Sequence, residues 1–175
     1  MLVILYPLDR MEIGDKIIYL GMDKDSVFGT LGKSEDFHTH YNSNHERHYY
    51  FDSELAIDFN GENKVEFIEL LAGIDGELQP IIYDIYAFRE NADKVFELLV
   101  EKNNGEINDT EGDYSSAFLE ISVGIYRESI PNDVIESIEE AKSEGTPLDD
   151  EEIEEEMRKA SHWNTIGIGV KDYYR

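Results

Sequence analysis

The sequence contains no cysteine in 175 residues, which excludes disulfides, thiolate metal ligands and a thiol nucleophile, and fits a reducing, cytoplasmic setting. It has no long apolar run. The N-terminal Met1-Leu2-Val3-Ile4-Leu5-Tyr6 is ended by Pro7-Leu8-Asp9-Arg10, far short of a signal peptide or a bilayer span, and reads as a first strand. Cations are scarce, with 15 Lys and Arg against 40 Asp and Glu and a formal charge of −25. A field of that sign repels phosphate backbones and anionic lipid, so direct nucleic-acid and membrane binding are excluded, while cationic ligands and basic proteins are attracted. Catalytic signatures are missing too: there is no Gly-x-Ser-x-Gly elbow, Walker loop or dinucleotide fingerprint. Gly167-Ile168-Gly169 lacks the further glycine and the helix such a fingerprint needs, and reads as a site of close packing or a bulge. No patterned nucleophile stands out, and the expectation is a non-enzyme without a cofactor.

What is present is a globular composition, 41% hydrophobic with 8 Phe and 11 Tyr, enough to bury a core in a single domain over 1–175. After the first strand, residues 16–20 lead to Asp23, a candidate N-cap for a helix over 24–31 stopped by Gly32. A polar, histidine-rich connection over 33–46 follows. Strands are expected at 47–51, 54–59 and 64–71, where Leu55, Ile57 and Phe59 alternate with polar neighbours as in a half-buried strand and Asn60-Gly61-Glu62-Asn63 makes the hairpin turn. Residues 80–88 read as one more apolar strand. Ala92, Val95, Phe96 and Leu99 mark one face of a helix over 91–101, and 116–127 reads as two short strands or one strand bulged at Gly124. A helix followed by a strand pair occurs over 23–71 and again over 91–127, suggesting two similar α/β halves. The predicted fold is α+β, a mostly antiparallel sheet with helices packed on one face.

The region from about 131 to 160 has a different character, with twelve acidic residues between 132 and 157 against the single Lys142. Pro131 and Asp133 open a predicted helix carrying Val134, Ile135 and Ile138 on one face, broken at Ser143-Glu144-Gly145. A second helix is expected to start with Thr146 as cap and Pro147 at its first position. Its apolar stripe is thin, only Ile153, Met157 and Ala160, which marks a helix that is either solvated or completed by a partner. A closing strand, Thr165 to Val170, follows.

Four of the five histidines, His38, His40, His45 and His48, fall in one short stretch, and neutral imidazoles at that density can ligate zinc or a similar metal, although the spacing matches no standard zinc motif. Asp58 reads as scaffolding on the polar face of its strand. Asp109 and Asp113 suggest a calcium loop only loosely, because the regular spacing and terminal Glu of such loops are missing.

Two stretches, Tyr83-Asp84-Ile85-Tyr86-Ala87-Phe88-Arg89-Glu90-Asn91-Ala92-Asp93-Lys94-Val95-Phe96-Glu97-Leu98-Leu99 and His162-Trp163-Asn164-Thr165-Ile166-Gly167-Ile168-Gly169-Val170-Lys171-Asp172-Tyr173-Tyr174, resemble bacterial immunity proteins of polymorphic-toxin and contact-dependent growth inhibition systems. The resemblance implies a cytosolic antitoxin that binds one cognate toxin domain, often a nuclease, and covers its active or substrate-binding surface. Nucleases carry basic surfaces for phosphate, and an acidic protein can occupy such a surface in place of the substrate. The resemblance carries no binding residues onto this chain. On charge density alone, Asp149, Asp150, Glu151, Glu152, Glu154, Glu155 and Glu156 are the expected partner-binding residues, since like charges at helical spacing repel unless something offsets them. A metal-dependent enzyme or metal-binding protein built on the His38 to His48 segment, and a regulatory adaptor working through its sheet, remain alternatives.

Overall fold

The computed structural model describes residues 1–40 and 43–175. Two strands at the start, β1 (Leu2–Tyr6) and β2 (Arg10–Ile13), form a hairpin that continues into β3 (Lys16–Tyr19). The second of these was not expected, because four residues with a single alternation are too short a periodic signal. Gly14, at φ 61, supplies the left-handed turn that lets β2 reverse into β3. Helix α1 (Lys24–Leu31) lies where predicted and ends at Gly32, at φ 90. Asp23 precedes it but makes no capping bond with its side chain, which pairs with Lys64 at 2.7 Å.

Next comes a meander of β4 (Asp36–Thr39), β5 (Glu46–Tyr50), β6 (Leu55–Phe59) and β7 (Val65–Leu70). Strand β4 falls inside the stretch read as a connection. All four of its residues are exposed, so no burial pattern betrays it in the sequence. The continuous strand expected over 80–88 is instead a tight hairpin of β8 (Gln79–Ile82) and β9 (Ile85–Tyr86). Tyr83 and Asp84, at φ 47 and 67, make its two-residue turn, a conformation that apolar patterning hides.

Helix α2 (Ala92–Asn103) starts at Asn91, whose side chain accepts from the Asp93 N–H, and stops at Asn104 in the left-handed conformation. The remaining elements are β10 (Ile107–Asn108), β11 (Ser115–Phe118), β12 (Val123–Tyr126), α3 (Pro131–Ser143), α4 (Asp150–Ala160) and β13 (Thr165–Gly169). Of the two readings of 116–127, the two-strand one holds.

The strands form a five-stranded sheet, ordered β3-β2-β1-β8-β9, and an eight-stranded sheet, ordered β10-β11-β12-β13-β7-β6-β5-β4. Among the described residues only β1 and β8 run parallel, and the fold is α+β. The larger sheet has an internal logic. Each half is a helix followed by a four-strand meander, α1 with β4 to β7 and α2 with β10 to β13, and the last strand of each meets the other antiparallel at the centre. The echo in the sequence is therefore real but longer than the strand pair that suggested it. Its second copy is hard to see because α3 and α4 interrupt it between β12 and β13, where the first copy has only the turn from Asn60 to Lys64.

One row of directly paired residues crosses the whole sheet: Phe37, His48, Ile57, Ile68, Ile168, Val123, Phe118 and Ile107. Both helices pack on this row. Phe28 of α1 touches His48 at 5.5 Å between ring centroids, and Phe96 of α2 touches Phe118 at 5.7 Å. The same buried cluster takes in Val3, Leu5, Met11 and Ile82 of the smaller sheet. Full burial of such side chains contributes about 2 to 3 kcal/mol each and is the main force holding the two sheets and two helices together. No helix among the described residues is long and apolar enough to cross a membrane.

Candidate functional site

The acidic region folds as two helices, but not with the predicted boundaries. Neither Thr146 nor Pro147 begins α4. Asp149 is the N-cap, accepting from the Glu152 N–H at 2.9 Å, while the Glu152 carboxylate accepts from the Asp149 N–H at 3.1 Å. This reciprocal capping outcompetes the Thr-Pro start because it satisfies two N–H groups at the N-terminal end, those of Asp149 and Glu152. On α3 the inward stripe contains Val134 and Ile138, but Ile135 points away and is 48% exposed, since one further residue along a helix turns by about 100°.

Of the seven nominated acids, three have internal partners. Asp149 and Glu152 are committed to the cap, and Glu155 lies 2.8 Å from Arg158 and 3.3 Å from Lys159. The Arg158 and Lys159 cations hold the Glu155 carboxyl down to about 2. The other four, Asp150, Glu151, Glu154 and Glu156, are exposed and have no ion pair or side-chain hydrogen bond among the described residues. A shallow depression on α4 is walled by Glu151, Glu152, Glu154, Glu155 and Arg158.

The insertion is fixed at its base. The buried Trp163 donates its indole N–H to the Ala92 carbonyl at 2.9 Å, and the Ala92 N–H donates to the Ser161 carbonyl at 2.9 Å. Arg127, 6% exposed, stacks over the Trp163 ring at 4.8 Å and donates to the carbonyls of Asp113 and Ala160. Burial lowers its pKa, opposed in part by Asp93 and Asp113. Residues 83–99 and 162–174 thus meet here, and the Trp163–Ala92 bond ties the α4 end to the α2 start. Asp109 and Asp113 line a small cavity with Arg127 rather than forming a calcium loop.

The four clustered histidines do not converge. His48 turns into the core row, where Nδ1 meets the Ser34 hydroxyl and Nε2 meets Glu46, each at 2.8 Å, leaving no nitrogen for a metal. His38 pairs in register with Arg47 on the opposite face, its ring 5.3 Å from that of His40, while His45 contacts Glu66 at 2.5 Å. Among the described residues no three His, Asp or Glu side chains come together as a metal site. Period-two alternation puts His38 and His48 on different faces, which a count of histidines along the chain does not reveal.

The second concentration of chemistry, on the helix-free face of the large sheet, was missed. Arg47 bridges Asp58, at 3.1 Å to both carboxylate oxygens, and Glu69. Burial pushes Asp58 up, opposed by Arg47 and reinforced by Glu69. For Arg47, burial works downward but the carboxylates of Asp58 and Glu69 outweigh it and hold the guanidinium above its ordinary value. Asp58 is therefore scaffolding, as expected, though buried rather than solvated.

Beside this network the face is floored by glycines. Gly124 pairs directly with Gly167, and Gly169 follows on the same side. A methyl group on Gly124 would overlap the Tyr174 hydroxyl, one on Gly167 would overlap the Phe67 ring, and one on Gly169 would come within 2.7 Å of Tyr173. The aromatic residues fit against the sheet because these positions have no side chain, with Phe67 and Tyr173 stacked at 4.5 Å and 3° and Tyr174 edge-on to both. Close packing is thus the role of the Gly-x-Gly strand. The signal was legible: glycines alternating on one face of a strand, followed by paired tyrosines, call for something large on that face. Between Tyr126 and Tyr174 the face opens into a groove of about 330 Å³.

No family model, curated protein or solved structure matches this chain.

Proposed function

We propose that this protein is an immunity protein, a non-enzymatic cytoplasmic inhibitor that binds a cognate basic toxin domain, a nuclease in the first instance, and occludes its active or substrate-binding surface. One observation carries the reading. The meander of the second half is interrupted by a pair of helices that adds little to the core yet presents Asp150, Glu151, Glu154 and Glu156 without a cationic partner. Uncompensated carboxylates on adjoining turns cost the isolated helix a few tenths of a kcal/mol per close pair. A basic partner removes that cost and gains in encounter rate from the field of the whole chain.

The test is co-expression with the product of the gene next to this one, read by growth protection and by co-purification. The expected complex weakens steeply with salt. Replacing Asp150, Glu151, Glu154 and Glu156 together with Ser is expected to weaken it roughly tenfold or more, with the fold unchanged. Unchanged affinity and salt dependence in that variant remove α4 from the interface, and failure to protect or co-purify removes the immunity reading.

A further inference from the structure

We infer that the groove on the helix-free face of the large sheet is a binding site for an arginine side chain carried by the partner. The inference rests on the proposed function only for the identity of the chain that brings the arginine. The groove is walled by the rings of Tyr126, Tyr173, Tyr174 and Phe67 and by the carboxylates of Glu69 and Glu111, and no lysine or arginine lines it. Its size, about 330 Å³, lies at the small end of ligand sites and suits one long side chain rather than a cofactor.

The charge balance beneath it favours a cation. Asp58 and Glu69 share the guanidinium of Arg47, so this network sets two carboxylates against one guanidinium, with the His40 imidazole near Asp58. Burial first holds the Tyr173 and Tyr174 hydroxyls above the ordinary phenol value, reinforced at Tyr173 by Asp58 and Glu66 and at Tyr174 by Glu69, with Arg47 opposing. Flat aromatic walls select a guanidinium over an ammonium, because the planar group stacks on a ring while still donating in its plane to carboxylates. The groove also adjoins the acidic helices. Tyr126 is the last residue of the strand before α3, and Thr165, also in its wall, is the first of the strand after α4. The two strands that bound the insertion therefore both contribute to the groove wall.

The test titrates the ¹⁵N-labelled full chain with N-acetyl-arginine amide, N-acetyl-lysine amide and the neutral N-acetyl-citrulline amide, following backbone amide shifts. Saturable shifts at Gly124, Tyr126 and Gly167, at least roughly fivefold tighter for arginine than for citrulline, are expected. The Glu111→Gln and Tyr126→Ala double variant alters two exposed groove residues and is expected to lose those shifts while its remaining spectrum is unchanged. The Ser variant of α4 is expected to keep them. Shifts confined to α3 and α4, shifts that do not saturate, or equal binding of lysine or citrulline overturn the inference. Growth protection with a silent groove overturns it while leaving the immunity reading in place; saturable arginine binding without protection does the reverse.

Discussion

The two halves of the large sheet share a topology and spend their residues differently. In the first half the core row is interrupted by a polar side chain, His48, and the opposite face holds the half-buried Arg47 paired with the buried Asp58. In the second half the matching core position is Phe118, the opposite face is glycine, and the charge has moved outward onto α3 and α4. A short turn joins the last two strands of the first half, and a helical pair joins those of the second. The difference teaches that the meander is the scaffold and its last connection is the variable part. Inside the scaffold His48, Arg47 and Asp58 are satisfied by neighbours, whereas on the insertion Asp150, Glu151, Glu154 and Glu156 are left for solvent or a partner.

The largest expected effect comes from cutting the insertion from the scaffold. Trp163→Ala removes a buried indole and its bond to Ala92, and should cost about 3 to 5 kcal/mol in urea unfolding. A loss below 1 kcal/mol would mean that the insertion is not anchored there. The core row can be tested by exchange. Phe118→His places an imidazole where no Ser34 or Glu46 equivalent meets it and should cost roughly 2 to 4 kcal/mol. The reverse change, His48→Phe, leaves Glu46 its Lys24 partner at 2.8 Å and should cost no more than about 1 kcal/mol. Equal costs would show that the halves are more alike than their polar groups suggest.

A smaller effect of opposite sign is expected at Tyr50. Its hydroxyl is the one buried side-chain polar atom without a partner among the described residues, and burial pushes its pKa up to about 12. Tyr50→Phe should therefore stabilise the protein by up to about 1 kcal/mol in thermal or urea unfolding, and a destabilised variant would contradict this.

The smallest effect distinguishes the two halves by pH. Asp58 is raised above 3.8 in the fold, so its contribution is present below that value and lost as pH rises through the folded pKa. Asp133 of α3 is held below 3.8 by the Ile130 N–H and the Tyr114 hydroxyl, so its contribution is present above 3.8 and lost as pH falls through the folded pKa. Stability of the wild type relative to Asp58→Asn should fall across the window just above pH 3.8, and relative to Asp133→Asn it should fall on acidification below it. Slopes of the same sign would contradict this assignment.

Much of the scaffold was legible in residues with strong local signals. The alternation of Leu55, Ile57 and Phe59 located β6, although the strand is buried on both faces rather than one because Ala56 and Asp58 are covered too, and Val95 and Leu99 located the buried face of α2. The elements that were missed, β2, β4 and the β8 to β9 turn, are short or exposed, and their existence depends on pairing with a neighbour rather than on their own composition. At the candidate site, the acidic helix was visible as charge density, but the division between capping, paired and free carboxylates was not.

The sequence by itself determined the sign of the field, the absence of thiol chemistry, the α+β class and the position of the acidic helices, because each follows from composition or from a period within one element. Only the tertiary structure decided that the histidines part between two faces, that Asp58 and Glu69 share Arg47, and that Phe67 and two tyrosines lie over a glycine floor beside a groove. Those arrangements join residues far apart in the chain, and register and packing, which bring them together, belong to the assembled sheet rather than to any segment of it.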